Sequence, residues 1–490
     1  MKKYAYLALS ATLLTSLSFS QEEVNTSYWT GNTREGTSGW GLSSVAENWS
    51  TGTIPDANTN VVFDNEYLTG EKILSIHTTS GFTCNDYTVT SNYGGHQIRV
   101  DGTMTINGDF TTQTPGTVTL LSNGSNNSAA ILNIGGSVIV GVDGDITSNV
   151  SYLNIGETTS NQWGGWGGPK NVTIGGDIIM YELGKVSFNV NLKGRTADYS
   201  NPDIDVKGLI RFEGNGSTNP NLDIINASNP NTSGEHSIPV EVVLACNGIT
   251  GNGVISNNSN GSIDNGPSKA ILLLRNDSDQ YFAGWIQDGQ NCTTKIVMNG
   301  TATQYLTSVN KDPEKPTQGI CFTGGLEIIS GTLSMRYDHP INHGDLEMRG
   351  GKLKNDSVSS AWNVNFTNLI YEGGTIVSRW NGSNMDVITL SGGLQKGAGF
   401  ADGDKFLIEV AATDVSSLTD ELIIAWDNAA QKTDFTEDDF EATYFEGYEA
   451  LFNIKDDGLY LSYIAVPEPA AFAVMLGALA LGLCACRKRK

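Results

Sequence analysis

The sequence predicts an all-β protein whose central part is a parallel β-solenoid, or β-helix. Short units recur in which an alternating apolar strand, a glycine pair and a second strand follow one another in the same order. The 490 residues include 57 Gly but only 13 Pro, and helical periodicity is almost absent before residue 410. Since the units keep one polarity, we expect stacked coils; the alternative, an array of β-sandwiches, would join its strands by hairpins.

The repeat is clearest in the first half of the chain, where it reads apolar–polar–Ile–Gly/Asn–Gly–Asp/Ser–apolar. The copies are Met104–Phe110, Leu132–Val138, Val172–Ile178 and the looser Leu153–Thr159. Their central isoleucines, separated by 28, 21 and 19 residues, are Ile106, Ile134, Ile155 and Ile174. These spacings fit one coil each, and we expect the glycine pair to adopt positive φ and to bend the chain.

The second half carries related strand–Gly–strand units. They are Phe322–Met335, Gly344–Asp356, Leu369–Ser383 and Val387–Gly399. Two segments, YFAGWIQDGQ (Tyr281–Gln290) and FTGGLEIISGTLSM (Phe322–Met335), resemble the autotransporter-associated β-strand repeat. That resemblance implies a parallel right-handed β-solenoid of stacked coils in an exported passenger.

We expect the solenoid to occupy residues 71–400, between two caps. Residues 21–70 contain Trp29, Trp40 and Trp49, and the stretch NWSTGTIPDANTNVVF resembles the opening segment of exported β-solenoid passengers. Large aromatic side chains suit a cap that covers an open core, although a sugar-stacking platform is the alternative. Residues 401–465 predict a C-terminal β cap with one short helix, and the acidic run Glu437–Glu441 is expected to be a solvated face rather than a calcium site.

The first 20 residues have the features of a secretory signal peptide. Lys2 and Lys3 are followed by an apolar run, and the small residues Ser18 and Ser20 stand at −3 and −1 of a cleavage site before Gln21. We therefore expect residues 1–20 to be removed by the secretion machinery; a retained N-terminal anchor is the alternative.

Residues 466–490 form a tail with three parts. A proline-rich motif is followed by an uncharged run and then by four cations. The motif is Val466, Pro467, Glu468 and Pro469, and the cations are Arg487, Lys488, Arg489 and Lys490. As a helix, the run from Ala470 to Cys486 would extend about 26 Å, at the short end of a transmembrane span, with the cations on the cytoplasmic side.

This tail resembles the PEP-CTERM sorting signal of Gram-negative bacteria. The resemblance implies that an exosortase-type enzyme in the membrane recognises Pro467–Pro469 and cuts nearby. The protein would first be anchored in the inner membrane and then pass to the cell surface or the extracellular matrix. An ordinary C-terminal anchor helix is the alternative.

Charge narrows the range of partners. The chain has a formal net charge of −24, and the body is more acidic still because the two ends hold several of the cations. Such a body repels nucleic acid and anionic lipid surfaces, so we expect no nucleic-acid partner.

Four cysteines, Cys84, Cys246, Cys292 and Cys321, lie in the body. Export permits disulfides, and Cys292 with Cys321 would close a modest loop, but buried free thiols are an equal alternative.

The sequence shows no motif that predicts catalysis, and we expect no cofactor and no metal site. His339 and His343 are four apart, but Pro340 and Gly344 indicate a surface turn instead of a helix. The Asp-Gly-Asp segments at 143–145 and 402–404 are typical of turns. A polysaccharide lyase or glycoside hydrolase assembled from distant coils is the alternative.

The loop NQWGGWGGPK places Trp163 and Trp166 among glycines, with little apolar sequence nearby. Both rings are candidates for sugar contact; packing on the solenoid flank is the competing interpretation. The PEP-CTERM resemblance implies a link to the extracellular polysaccharide layer. With the other features it predicts an exported, non-enzymatic structural or adhesive protein of that layer, with a carbohydrate-active enzyme or a lectin-like module as alternatives.

Overall fold

Alternating apolar segments form the strands of an all-β protein. The computed structural model describes residues 24–36, 39–79, 81–122, 130–144, 150–156, 168–188, 197–214, 220–224, 241–257, 268–289, 292–308, 319–336, 339–355, 363–427, 433–466 and 479. Three short 3₁₀ helices interrupt the strands at Ala46–Asn48, Asn65–Tyr67 and Glu437–Asp439. The parallel β-helix-like fold predicted by the repeat units is confirmed, because strands from successive units pair in parallel.

The strands stack into ladders, each with one strand per coil. Ladder A consists of Phe82–Cys84, Thr103–Ile106, Ile131–Ile134, Asn171–Ile174, Ile204–Val206, Glu241–Cys246, Ser268–Leu274 and Leu394–Lys396. Ladder B consists of Asn25–Tyr28, Thr59–Phe63, Tyr87–Val89, Phe110–Thr112, Val138–Val140, Ile178–Tyr181, Ile210–Glu213, Ile249–Gly251, Gln280–Phe282, Phe406–Ala411 and Phe440–Ala442. Four long strands belong to both ladders and run through the corner between them: Cys292–Leu306, Leu326–Met335, Leu346–Asn355 and Leu369–Arg379.

The third side of each coil is ladder C, continued by a smaller sheet. Ladder C consists of Trp40–Leu42, Ser75–Thr78, His96–Val100, Thr117–Ser122, Tyr152–Ile155, Lys185–Phe188, Asn221–Asp223, Val254–Ser256, Trp285–Gln287 and Ile320–Cys321. The smaller sheet, ladder D, has parallel strands His339–Asn342, Asn363–Phe366, Val387–Leu390 and Glu421–Trp426. It ends in the antiparallel hairpin Tyr448–Lys455 and Gly458–Ala465.

The register corrects the prediction of one coil per isoleucine spacing. Ile106, Ile134 and Ile174 do align on ladder A. Ile155, however, lies on ladder C, where it pairs with Leu120 of the preceding coil. A coil therefore contains three strands. The 21- and 19-residue spacings together span one coil, because the looser copy Leu153–Thr159 supplies its strand to ladder C.

The glycine pairs of the first half do not act by positive φ, so that prediction is wrong there. Gly135 and Gly175 are both outside the left-handed region. A Cβ on Gly175 would lie 2.1 Å from the Gly135 carbonyl oxygen, and one on Gly135 would lie 2.2 Å from that of Asn107. Glycine is required because successive backbones touch at this corner. The long strands of the later coils do contain glycines at positive φ, with +75° at Gly331 and +92° at Gly374.

The Asp/Ser position of the repeat joins one coil to the next. Asp109 Oδ1 accepts the Ser137 backbone N–H at 2.7 Å, and Ser137 Oγ accepts that of Asp177 at 3.1 Å. Asp177 Oδ1 in turn accepts the Leu209 N–H at 2.8 Å. These short polar side chains satisfy backbone donors that the glycine corner leaves outside the strand ladders.

The interior is one apolar cluster that runs from Trp29 to Tyr463. Ladder B pairs Asn25–Tyr28 with Thr59–Phe63 and then with Tyr87–Val89, so it crosses residue 70 without a break. The same ladder crosses residue 400 by pairing Thr375–Arg379 with Leu407–Ala411. The described body is therefore one continuous stack, and the expected caps belong to it.

Aromatic side chains close the N-terminal end of the stack, and strands with one 3₁₀ turn form the other end. At the N-terminal end, Trp29 and Trp49 are buried with ring centroids 4.9 Å apart, and Trp29 Nε1 donates to the Ile73 carbonyl at 2.7 Å. This burial supports capping over a sugar platform for these two rings. At the other end, the expected strands are observed, and the expected helix is the single 3₁₀ turn Glu437–Asp439.

Several predicted segments lie outside the described residues. They are the signal peptide with Ser18 and Ser20, the loop with Trp163 and Trp166, and the tail from Pro467 onward apart from Leu479. Within the described residues, no helix is long and apolar enough to cross a membrane. The transmembrane helix of the tail stays a prediction.

Candidate functional site

Val466 is the one member of the tail motif in the described structure. Its N–H donates to the Gly447 carbonyl at 2.8 Å, and its side chain is exposed. The preceding strand, Gly458–Ala465, lies between Glu421–Trp426 and Tyr448–Lys455 in ladder D. Val466 is the last described residue before Pro467, Glu468 and Pro469, which follow it immediately in sequence.

The histidines do not form the predicted surface turn. His339–Asn342 is a strand, and His343 is fully buried with Nδ1 3.0 Å from the Phe322 carbonyl oxygen. The reason is that Asn342 and Gly344, rather than the histidines, make the corner, where Gly344 has φ +85° and its N–H donates to Asn342 Oδ1. No group of three or more His, Cys, Asp or Glu in the described chain is placed to hold a metal ion.

Two other buried histidines support the N-terminal coils. His96 Nδ1 donates to the Leu74 carbonyl at 2.6 Å, and its Nε2 is 2.6 Å from the Tyr87 hydroxyl. Burial lowers the pKa of His96 to about 4. His77 lies between two carboxylates, 2.7 Å from Glu35 and 2.8 Å from Asp101. Both histidines join neighbouring coils and are enclosed, so they are structural groups.

All four body cysteines are buried, and none of them forms a disulfide. Burial raises the pKa of Cys246 and Cys292 to about 12 and that of Cys321 to about 11, and the nearby Asp288 adds to the last two. The thiols are therefore protonated at neutral pH and poor nucleophiles. Of the two alternatives left open by the sequence, the structure shows buried thiols.

The Asp-Gly-Asp segment at 402–404 forms a turn, as predicted. Gly403 has φ +93°, and Asp404 Oδ2 accepts the Ala401 N–H at 2.8 Å. In the other segment, Asp143 and Gly144 are described and Gly144 has φ +76°, whereas Asp145 lies outside the described residues. The Asp404 carboxylate thus shapes the backbone of its turn.

A buried ionic cluster lies on the outer face of ladder A. Glu327 is almost fully buried, and its carboxylate is 2.7 Å from Lys295 Nζ and 3.0 Å from Arg349 Nε. Both cations also contact Glu347, at 3.1 and 3.0 Å. Burial alone would lower the pKa of Lys295, but the hydrogen bond and charge of Glu327 raise it overall. Every charge here has a partner, as buried ion pairs require.

This cluster also holds residues 197–203, which we call the strap. The Tyr199 hydroxyl donates to Glu327 at 2.9 Å across 128 positions of sequence. Asp203 accepts the Val243 N–H at 2.9 Å at the other end. Tyr199 and Ala197 pack on a second apolar cluster, on the outer face of ladder A: Val243, Ala245, Ile271, Leu273 and Val297. The strap thus covers apolar surface that strand alternation places outside the core.

Another polar cluster, centred on Asp223, lies on ladder C. Asp223 is fully buried and accepts hydrogen bonds from Ser187 at 3.0 Å and Ser256 at 2.6 Å, with Lys185 Nζ at 2.9 Å. Ser187, Asp223 and Ser256 occupy the same register on successive coils. These three contacts satisfy the Asp223 carboxylate, so we interpret the cluster as a structural link between neighbouring coils.

The outer face of ladder B carries a pair of stacked tyrosines that sequence reasoning missed. Tyr281 and Tyr305 are paired in register on adjacent coils. Their ring centroids are 4.3 Å apart and the ring planes differ by 4°, and Tyr281 is 55% exposed. The neighbouring Phe282 and Leu306 are fully buried, so alternation directs both tyrosines outward.

Lys354 lies at the far end of this pair. Its Nζ is 4.9 Å from the centre of the Tyr305 ring, and it forms no ion pair with any described residue. Ser334 occupies the register position between Tyr305 and Lys354. Tyr281, Tyr305 and Lys354 are hereafter the tyrosine site. Tyr281 stacks on one face of Tyr305 and Lys354 lies over the ring of Tyr305, so the exposed aromatic surface of the site belongs to Tyr281.

A signal for the tyrosine site exists in the sequence. In both QYF (280–282) and QYL (304–306) the tyrosine directly precedes a large apolar residue, which places it on the opposite strand face. The stacking itself depends on the register across 24 residues, which the local pattern does not contain.

Comparison with known proteins adds no assignment. No family model matches the chain, and no curated protein is significantly similar to it.

Proposed function

We propose that the protein is an exported structural or adhesive component of the cell surface or extracellular matrix, sorted by an exosortase-type system. Residues 1–20 act as the signal peptide. Residues 466–490 act as the sorting signal, with the motif Val466–Pro469, one transmembrane helix and the basic residues Arg487–Lys490. The body is a right-handed solenoid that contacts extracellular polysaccharide.

The observation that carries this proposal is the uninterrupted stack of parallel ladders over one interior core. Stacked coils shelter each other's apolar residues and produce a stiff body whose outer faces stay available for contacts. The clusters of charged groups described above are saturated by internal partners, which favours a scaffold over an enzyme.

The exit of the chain supports the sorting part of the proposal. Since the last strand lies inside ladder D and ends next to Val466, the motif follows a rigid end. Prolines at 467 and 469 fix φ and disfavour helix, so Glu468 would be held extended between the body and the membrane. An enzyme at the membrane surface would meet this segment without unfolding the body.

Mass spectrometry of both termini of the mature protein tests the sorting proposal. The full chain is expressed in a Gram-negative host that has an exosortase-type system. We expect mature protein that begins at Gln21 and lacks Arg487–Lys490. The control variant Glu468→Ala should keep the basic end, because the motif is altered but the apolar run is not.

Two outcomes contradict this proposal. Exported protein with an intact basic end would make the tail an ordinary anchor. Protein in the cytosol with its first 20 residues attached would overturn export itself.

A further inference from the structure

We propose that the tyrosine site, Tyr281, Tyr305 and Lys354, binds a neutral polysaccharide by stacking on pyranose rings. This inference rests on the proposed adhesive function and names the chemical class of its ligand. It uses described residues only and is independent of Trp163 and Trp166.

The first argument is preorganisation. Tyr281 and Tyr305 sit on paired strands, and each is followed by a fully buried residue, Phe282 or Leu306. Stacking at 4.3 Å restricts both rings further. A ligand that binds here orders few additional side-chain torsions, so little of the binding free energy is lost to side-chain conformational entropy.

The second argument is the shape of the surface. Tyr281 is 55% exposed although a buried core position lies next to it in the strand, and Tyr305 covers one face of its ring. A pyranose ring has a face of C–H groups that can stack on the exposed part of an aromatic ring held in this way.

The third argument is polarity. Lys354 and Ser334 follow the two rings along the same register column, and an amine and a hydroxyl can hydrogen-bond to sugar hydroxyls. The cation also lies over the Tyr305 ring, where it is stabilised by the ring's quadrupole.

The fourth argument separates neutral from anionic glycans. The whole chain has a net charge of −24, and its long-range field opposes a polyanion. On the same outer face Lys352 is neutralised by Glu409 at 2.6 Å, which leaves Lys354 as a single unpaired cation among the described residues of this patch. One cation is too little to reverse that field, so a neutral glycan fits better.

The test uses the full chain, purified in mild detergent. Binding is measured by affinity electrophoresis and calorimetry with laminarin and dextran as neutral probes and polygalacturonate as the anionic probe. We expect binding to a neutral probe, and we expect Tyr281→Ala to weaken it about tenfold, as loss of one stacked ring should. Tyr281→Phe keeps the ring and should change affinity less than about threefold.

A matched control is available in Tyr67. It is also an exposed ring stacked on another tyrosine, Tyr28, with centroids 3.6 Å apart, but it lies in a 3₁₀ turn and not on a ladder. Tyr67→Ala should leave affinity unchanged. Equal melting temperatures of the variants establish that binding losses are not due to unfolding.

Three other results of the binding experiment would contradict the inference. Wild-type binding that is equally strong in Tyr281→Ala overturns the site while the adhesive function stands. Binding to polygalacturonate alone overturns the choice of ligand and with it the inference. Binding to none of the probes overturns both the site and the adhesive role, whereas sorting is judged separately by the terminal masses.

Discussion

The coils of the first half and those from residue 292 onward turn the same corner between ladders A and B by different means. In the first half the chain leaves ladder A at a glycine pair, and the carbonyl of the previous coil occupies the space of a Cβ. In the later coils the strand continues through the corner as one element, with Gly331 and Gly374 at positive φ. Glycine permits close packing in both regions, because a Cβ on Gly350 or Gly374 would also lie 2.3 Å from a carbonyl oxygen of the previous coil. In the later coils glycine additionally supplies positive φ.

The two regions also differ in what joins their coils. First-half corners are linked by Asp and Ser side chains that accept backbone N–H groups of the next coil. Later coils are linked on the outside by the buried cluster around Glu327 and by the strap. The first-half links are hydrogen bonds from backbone N–H groups to side chains at the turn. The later links are ion pairs between side chains on the outer face, together with the Tyr199–Glu327 hydrogen bond across 128 positions.

The largest expected effect tests the two roles of glycine. Gly175→Ala places a methyl group 2.1 Å from a backbone oxygen, and we expect it to reduce the free energy of unfolding by about 4 kcal/mol. Gly373→Ala, in a later coil, meets its nearest atom at 3.2 Å and has no positive φ, so it should cost less than about 1 kcal/mol. Urea denaturation measures both. Equal losses would show that the close approach of the previous coil's carbonyl does not set the cost of adding a Cβ.

Acid should destabilise the N-terminal coils through His96. Since burial lowers the pKa of His96 to about 4, the unfolded chain binds a proton below about pH 6.5 while the folded chain does not. Stability should therefore fall as pH falls from 6.5 towards 4, by up to about 3 kcal/mol from this group.

The difference between wild type and His96→Gln isolates that contribution. Urea denaturation of both proteins at pH 7, 6, 5 and 4 should show a smaller pH dependence in the variant. Parallel curves for the two proteins would mean that His96 is not the responsible group.

Removing the charge of Glu327 should affect the later coils. Glu327→Gln keeps the shape but leaves Lys295 and Arg349 sharing Glu347, and we expect a loss of about 2 kcal/mol. Glu409→Gln removes an exposed partner of Lys352 and should cost less than about 1 kcal/mol. Thermal unfolding compares the two variants; similar losses would contradict the structural role of the buried cluster.

The smallest expected effect concerns the strap. Tyr199→Phe removes the hydrogen bond to Glu327 but keeps the ring on the outer apolar cluster, so we expect a loss of about 1 kcal/mol. Hydrogen exchange of the backbone amides of residues 241–245 should become faster at the same time. Unchanged exchange there would show that the tyrosine hydroxyl does not hold the strap.

Strand alternation and unit polarity were sufficient to predict parallel stacked coils and the last strands, Phe406–Ala411, Glu421–Trp426 and Gly458–Ala465. This works because the side-chain period of a strand is local and shows which face is buried. The same reasoning made Ile155 the centre of its own coil, although that strand lies on ladder C. A short apolar pattern shows that a strand exists and does not show which side of a coil it occupies.

The sequence was therefore enough to predict the strands and their parallel order, whereas the targeting role of the two termini stays a prediction. Folding in three dimensions was needed to bring Tyr199 to Glu327, to stack Tyr281 on Tyr305 and to give first-half glycines their packing role. The physical reason is that contacts between coils depend on register, and register depends on insertion lengths between strands that follow no period. Alternation is encoded residue by residue, whereas neighbours across coils are set by the whole path of the chain.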